Sequence, residues 1–280
     1  MHIHTRPLQL APDVDLAVLA KSTTGMSGAD LANLCNEAAL IAARHNHPQV
    51  RMADFEEAMD KVLLGQKRPK LSDPHERRVV ATHEAGHTLV AWLTPEADAV
   101  HKVTIVAHGR ALGMTAQLPV EERFNYSQAY LLGRLAVMLG GRVAEELVFG
   151  DVTTGAESDL VEATKLVRRM VTRWGMGTLE LAAFQLDEEQ PFLGYQLAQG
   201  REYSGATAAR IDQDVQRVLA ERQSAAQNLL TNARPQLDQL THALLEHETL
   251  DQQALRALLG PRPARAVSVS GEQRDIAVAG

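Results

Sequence analysis

The chain has 280 residues, room for two domains, and is 45% hydrophobic but only 4% aromatic, which suits a helical, Ala/Leu-rich protein with an ample core. A net charge of −7 and a pI near 5.9, with no Lys/Arg run, argue against a nucleic-acid partner. The single cysteine, Cys35, excludes an intrachain disulfide and suits a reducing compartment, and the chain as given, lacking a membrane-length apolar run and a signal-peptide core, reads as soluble and cytoplasmic.

Residues 1–64 read as a three-helix bundle. Pro12 and Asp13 precede a short helix over Leu16 to Ala20, and Thr24 to Gly28 form a turn. Ser27 is placed to cap a helix running from Ala29 to His45, with Asp30 completing a capping box. That helix puts Leu31, Leu34, Ala38, Ile41 and Ala42 on one side, and Pro48 stops it. A third helix runs from Ala53 to Leu64 with Phe55, Met59, Val62 and Leu63 inward.

This stretch resembles the C-terminal lid of an AAA+ ATPase in its FtsH-like form. The match runs through Leu10–Asp15, Gly25–Leu34, Asn36–Leu40 and Phe55–Ala58. The resemblance implies that Gly28 and Ala29 lie beside a bound nucleotide. No G-x-x-x-x-G-K-[ST] loop occurs in the chain, however, so ATP belongs to an ATPase core that this sequence lacks. No ATPase activity is expected from this polypeptide alone, and the simplest account makes it the C-terminal part of a longer protein.

Residues 65–73, polar and containing Gly65 and Pro69, read as a linker. The second domain spans 74–261. Its first helix carries His83-Glu84-Ala85-Gly86-His87, an H-E-x-x-H motif. Two histidines four apart on a helix share a face and can hold one metal ion, while Glu84 is rotated off that line towards an activated water. Val79, His83, His87 and Val90 continue one apolar, inward face. Two core histidines satisfied by backbone carbonyls remain the plainer alternative.

Ala99 to Val106 alternates as a strand, His108-Gly109-Arg110 is a turn, and Leu112, Met114, Ala116 and Leu118 alternate as the second strand of a hairpin. An exposed edge of that hairpin could pair with an extended peptide. Ser127 to Phe149 is helical, with Leu131, Leu135, Met138 and Leu139 inward and Gly140-Gly141 interrupting it to let another backbone approach. A loop from Gly150 leads into a helix that continues to Trp174 and ends at Gly175, with Asp159, Ala163, Leu166, Met170 and Trp174 on one face. An inward carboxylate in a first turn needs a partner. A metal would provide one, and capping of the helix is the alternative.

The residues alone do not fix a third metal ligand. Val90 and Leu93 stand where the extended H-E-x-x-H-x-x-G-x-x-H pattern needs glycine and histidine, so that subclass is excluded. Glu96, Glu121 and Glu122 lie on no clear inward face, and Glu145, Glu146, Asp151, Glu157 and Asp159 stay possible.

The domain resembles the peptidase domain of FtsH-type ATP-dependent zinc metalloproteases. The resemblance rests on His83–His87, His101–Ile105, Gly109–Gly113, Gly140–Glu146, Thr154–Leu160 and Phe192–Gly194, in that order. It implies one Zn²⁺ per chain on His83, His87 and Asp159, with Glu84 as general base and Glu145 beside the ligands. It also implies unfolded or membrane-associated protein substrates, a homo-hexamer, and a place on the cytoplasmic face of a bacterial inner membrane.

From Gly205 the chain is helical again. Ile211, Val215, Val218 and Leu219 form a stripe continuing to Leu229 and Leu230; Pro235 starts a further helix, and Leu250 to Leu259 form a last one. Residues 262–280 lack apolar periodicity and read as a disordered tail. The expected fold is mainly α with a small β-hairpin: a lid bundle, then a helical zinc metallopeptidase domain. The alternative function is a non-catalytic assembly module whose metal site is structural or empty.

Overall fold

Short polar side chains set the helix starts, because the first amides of a helix have no partner within it. Asp15 accepts from Ala17 and Val18, Asp73 from His75, Ser127 from Tyr130, Ser204 from Thr207 and Asp251 from Ala254. Ser27 and Asp30 form the expected reciprocal capping box. This architecture comes from a computed structural model that describes residues 1–64, 72–107, 112–118, 125–179, 183–184 and 204–264.

The first module contains α1 (His2–Thr5), α2 (Leu16–Ser22), α3 (Gly28–Arg44) and α4 (Met52–Leu64). Leu19, Leu34, Ala38, Ile41 and Phe55 form its core. The single turn of α1 is an addition to the three expected helices. The segment before α2 is held to the α3–α4 loop by Val50 N–H bonding to Gln9 O and Ala11 N–H to Val50 O.

The second part is built around α5 (Pro74–Leu93), buried along most of its length. It packs between α6 (Gln128–Phe149) and α9 (Arg234–His247), while α8 (Gly205–Asn232) covers α6 and α7 (Glu157–Thr172). A small sheet lies beside α5, from β1 (Ala99–Thr104), β2 (Met114–Leu118) and β3 (Thr249–Asp251), all antiparallel in the order β2-β1-β3. The last helix is α10 (Gln252–Leu259). The fold is therefore mainly α with a small antiparallel sheet.

The structure corrects three sequence expectations. Leu250 lies in β3, opposite Val103, so the expected helix starts only after Asp251. Gly140-Gly141 does not interrupt α6, which runs unbroken through both, because helical glycine keeps its backbone bonds and gives up only a side chain. Trp174 lies beyond the end of α7 and is 45% exposed, since the chain turns away before Gly175, whose φ is +61°. The linker Gly65–Lys70, the turn His108–Arg110, Glu121, Glu122, the side chain of Leu63, Phe192–Gly194 and the tail from 265 lie outside the described residues. No helix of the described residues is long and apolar enough to cross a membrane.

Candidate metal centre

Three glycines let α5 and α6 approach at the level of the histidines. A Cβ on Gly86 would lie 2.3 Å from Gly140 O, and one on Gly140 would lie 2.9 Å from Gly86 O. A Cβ on Gly141 would fall 2.5 Å from His87 Nε2 and 2.6 Å from His83 Nε2. The backbones touch, and Gly141 leaves the space that the two imidazoles fill.

Each ring is oriented by its Nδ1. His87 Nδ1 donates to Val137 O of α6 at 2.6 Å, and His83 Nδ1 donates to Glu145 Oε1 at 2.6 Å. Glu145 is itself fixed, because its Oε2 accepts the Thr153 N–H at 2.8 Å and the side chain is buried. With both Nδ1 atoms engaged as donors, both Nε2 atoms of the neutral rings offer lone pairs to one point.

Asp159, in the first turn of α7, supplies the third donor. His83 Nε2 lies 2.9 Å from His87 Nε2 and 3.2 Å from Asp159 Oδ2, and His87 Nε2 lies 3.4 Å from the same oxygen. Two nitrogen lone pairs and a carboxylate converging at this spacing repel one another without a cation among them. Metal bonds of about 2.1 Å in a tetrahedron put neighbouring donors about 3.4 Å apart, close to what is seen. The donors thus fit a borderline divalent metal.

The electrostatics agree. Burial opposes charge on His83, but the carboxylates of Asp159, Glu145 and Glu84 outweigh it and lift the imidazole to about 10. Burial likewise opposes ionisation of Asp159 and Glu145, yet the two imidazoles beside Asp159, and His83 with the Thr153 amide at Glu145, hold both carboxyls below their usual range. Without a metal, this surplus of negative charge captures a proton instead.

Glu84 is only 7% exposed. Its Oε2 accepts from Thr115 Oγ1 of β2 at 2.8 Å, and a Cβ on Gly113 would lie 2.7 Å from its Oε1. Burial pushes the Glu84 carboxyl up, while His87, His83 and the Thr115 bond pull it back. All these groups line one cleft of about 1010 Å³, with the start of β2 on one wall and the first turn of α7 on the other.

Of the carboxylates left open by the sequence, Asp159 meets the histidines and Glu145 meets His83 from behind. Glu146 instead accepts from Gln223, Asp151 accepts from its neighbour Val152, and Glu157 is exposed on the cleft wall; Glu96, already set aside on the sequence, lies by Gly133. Gly28 and Ala29 are exposed at the start of α3, in the other module. Sequence reasoning missed Thr115, Gly113, Thr153 and the Val137 carbonyl. Strand alternation was the available signal for Thr115, which stands between the apolar 114 and 116.

The profile of peptidase family M41 matches residues 70–258, and that of the AAA+ lid domain matches residues 13–57. The chain is 52% identical over 252 residues to an ATP-dependent zinc metalloprotease FtsH of Nitrosococcus oceani, covering 90% of this chain and 39% of the relative. It is 50% identical over 265 residues to ATP-dependent zinc metalloprotease FtsH 4 of Sphaerobacter thermophilus, covering 94% of this chain and 40% of the relative. The protein of Thermobaculum terrenum with the first of these names is 47% identical over 270 residues. The chain thus spans about two fifths of the length of the curated relatives it matches.

Proposed function

Because the chain belongs to peptidase family M41, we propose that it is a zinc-dependent endopeptidase whose reaction is carried by the cleft around His83, Glu84, His87 and Asp159. The convergence of the two Nε2 atoms and Asp159 Oδ2, with Glu84 buried beside them, carries this reading.

His83, His87 and Asp159 would hold the zinc ion. Bound there, zinc activates a water and polarises a carbonyl as a Lewis acid. Glu84 accepts the proton of the attacking water and passes it to the leaving amine. Thr115 holds the Glu84 carboxylate by its Oε2, leaving Oε1 to face the proton. Glu145 and Val137 O keep the two rings in the tautomer that offers Nε2. The outer edge of β2 has no strand partner among the described residues, so an extended substrate can add to it by main-chain hydrogen bonds.

The substrates are unfolded or membrane-associated proteins. An AAA+ ATPase ring delivers them, the subunits form a homo-hexamer, and the complex works at the cytoplasmic face of a bacterial inner membrane. The lid-like module, with Gly28 and Ala29 towards the nucleotide, links the peptidase to that motor.

The deciding experiment measures zinc content and casein cleavage for the wild type and for Glu84→Gln. Glu84→Gln is expected to keep its zinc and lose about 10²–10⁴ in rate, the range for removing a general base. A wild type that binds zinc but cleaves no faster than Glu84→Gln would overturn the enzyme reading in favour of a non-catalytic assembly module.

A further inference from the structure

A second group of metal-type donors lies in the lid module. His45, His47 and Asp54 place three ligand atoms within 4.8 Å of one another, as His83, His87 and Asp159 do. His45 Nδ1 is 3.6 Å from Asp54 Oδ1, and His47 Nδ1 is 3.1 Å from both Asp54 oxygens. These separations bracket the spacing of about 3.4 Å between neighbouring ligands of a tetrahedral ion.

Backbone hydrogen bonds set this arrangement. His47 N–H bonds to Ala42 O at 2.8 Å and Asn46 N–H to Ala43 O at 3.1 Å, with Asn46 at a φ of +57°. That is a Schellman ending of α3. It carries the two imidazoles, two residues apart, to the first turn of α4. There Asp54 is buried, 1% exposed, and its Oδ2 accepts the Arg51 N–H at 2.9 Å. Glu57 adds a second carboxylate 3.9 Å from His45 Nε2. The cluster thus joins a buried anion, a second acidic group and two imidazoles, with one imidazole 43% exposed and open to solvent.

We propose that His45, His47 and Asp54 bind a divalent first-row transition-metal ion, which clamps the end of α3 to the start of α4. Two imidazoles and one carboxylate favour zinc, cobalt or nickel over magnesium and calcium, which take oxygen ligands. Water completes the coordination.

The test is zinc titration of the full chain after chelator treatment, read as ions bound per chain. The wild type is expected to bind about two, His45→Ala/His47→Ala about one, and the quadruple variant that adds His83→Ala and His87→Ala none. Zinc should raise the melting temperature of His83→Ala/His87→Ala, in which the lid cluster alone remains, and magnesium should not. Melting in chelator shows that each variant is folded. A wild type that binds one ion, lost with His83 and His87 but kept without His45 and His47, overturns the proposal. So does a second ion that survives His45→Ala/His47→Ala.

Discussion

Two His–His–Asp clusters in one chain have similar donor spacing and different surroundings. In the cleft, each imidazole has its second nitrogen engaged, by Glu145 or by Val137 O, and α5, which carries both rings, meets α6 at glycines. In the lid the donors stand on a helix end and a first turn, and His45 is largely exposed. The cleft also has a buried carboxylate, Glu84, placed beside the donors but outside the ligand set. Among the described residues the lid cluster has no such group beside it but Glu57 at the solvent edge. Three donors at metal spacing would suffice for the binding proposed for the lid. The chemistry proposed for the cleft also draws on Glu84, the cleft itself and rings held in one tautomer.

If surroundings distinguish the two clusters, damage to the surroundings of the first must cost metal. The largest effect is expected from Gly141→Ala. Its Cβ would sit 2.5 Å from His87 Nε2 and 2.6 Å from His83 Nε2, inside the space the ligands use. Overpacking of this kind costs about 1–3 kcal/mol, so zinc affinity at the cleft should fall by up to about 100-fold, with a lower melting temperature. Competition with a chromogenic chelator reads the affinity. Unchanged affinity would mean that the glycine seam is incidental and that the two clusters are alike in kind.

A smaller loss is expected from Glu145→Gln. The amide oxygen can still accept from His83 Nδ1, but the charge that makes the ring a stronger donor is gone. Zinc affinity should fall by about tenfold, with both ligands and Glu84 in place. Glu145 ionises more readily than an ordinary carboxyl in spite of its burial, because His83 and the Thr153 amide both bond to it. The neutral variant removes that charge and leaves the packing. Equal affinity for both proteins would reduce Glu145 to a helix–loop fastener.

What the sequence made legible follows from distance along the chain. His83, Glu84 and His87 lie within two helical turns, so a periodic reading places all three at once. Asp159 lies 76 residues from His83 and was one of several open carboxylates until the family resemblance singled it out. The helices of both modules and the Ser27 cap were readable because each depends on neighbours. The three residues of β3 were not, since they are too few to alternate and pair only with distant β1. Gly140 and Gly141 marked a close approach correctly but gave no sign that the approaching groups were Gly86 and the imidazoles of His83 and His87. His45 and His47 read simply as a helix end, because their partner Asp54 belongs to the next helix.

The smallest effect tests how the base is poised. Thr115 Oγ1 donates to Glu84 Oε2 at 2.8 Å, and this bond favours the ionised carboxylate. Thr115→Val keeps the shape and removes the donor. The Glu84 pKa must then rise, because burial, which already pushes it up, goes less opposed. A general base works when ionised, so the acidic limb of kcat/KM against pH should move to higher pH while the plateau changes little. Thr115→Ser restores the donor and should restore the limb. Both variants hold the same zinc ligands as the wild type, so the displacement reports on Glu84 and not on metal loss. A limb that stays in place in Thr115→Val, with zinc content unchanged, would assign the acidic limb to a group other than Glu84. The catalytic contrast between the two clusters would then rest on the cleft alone.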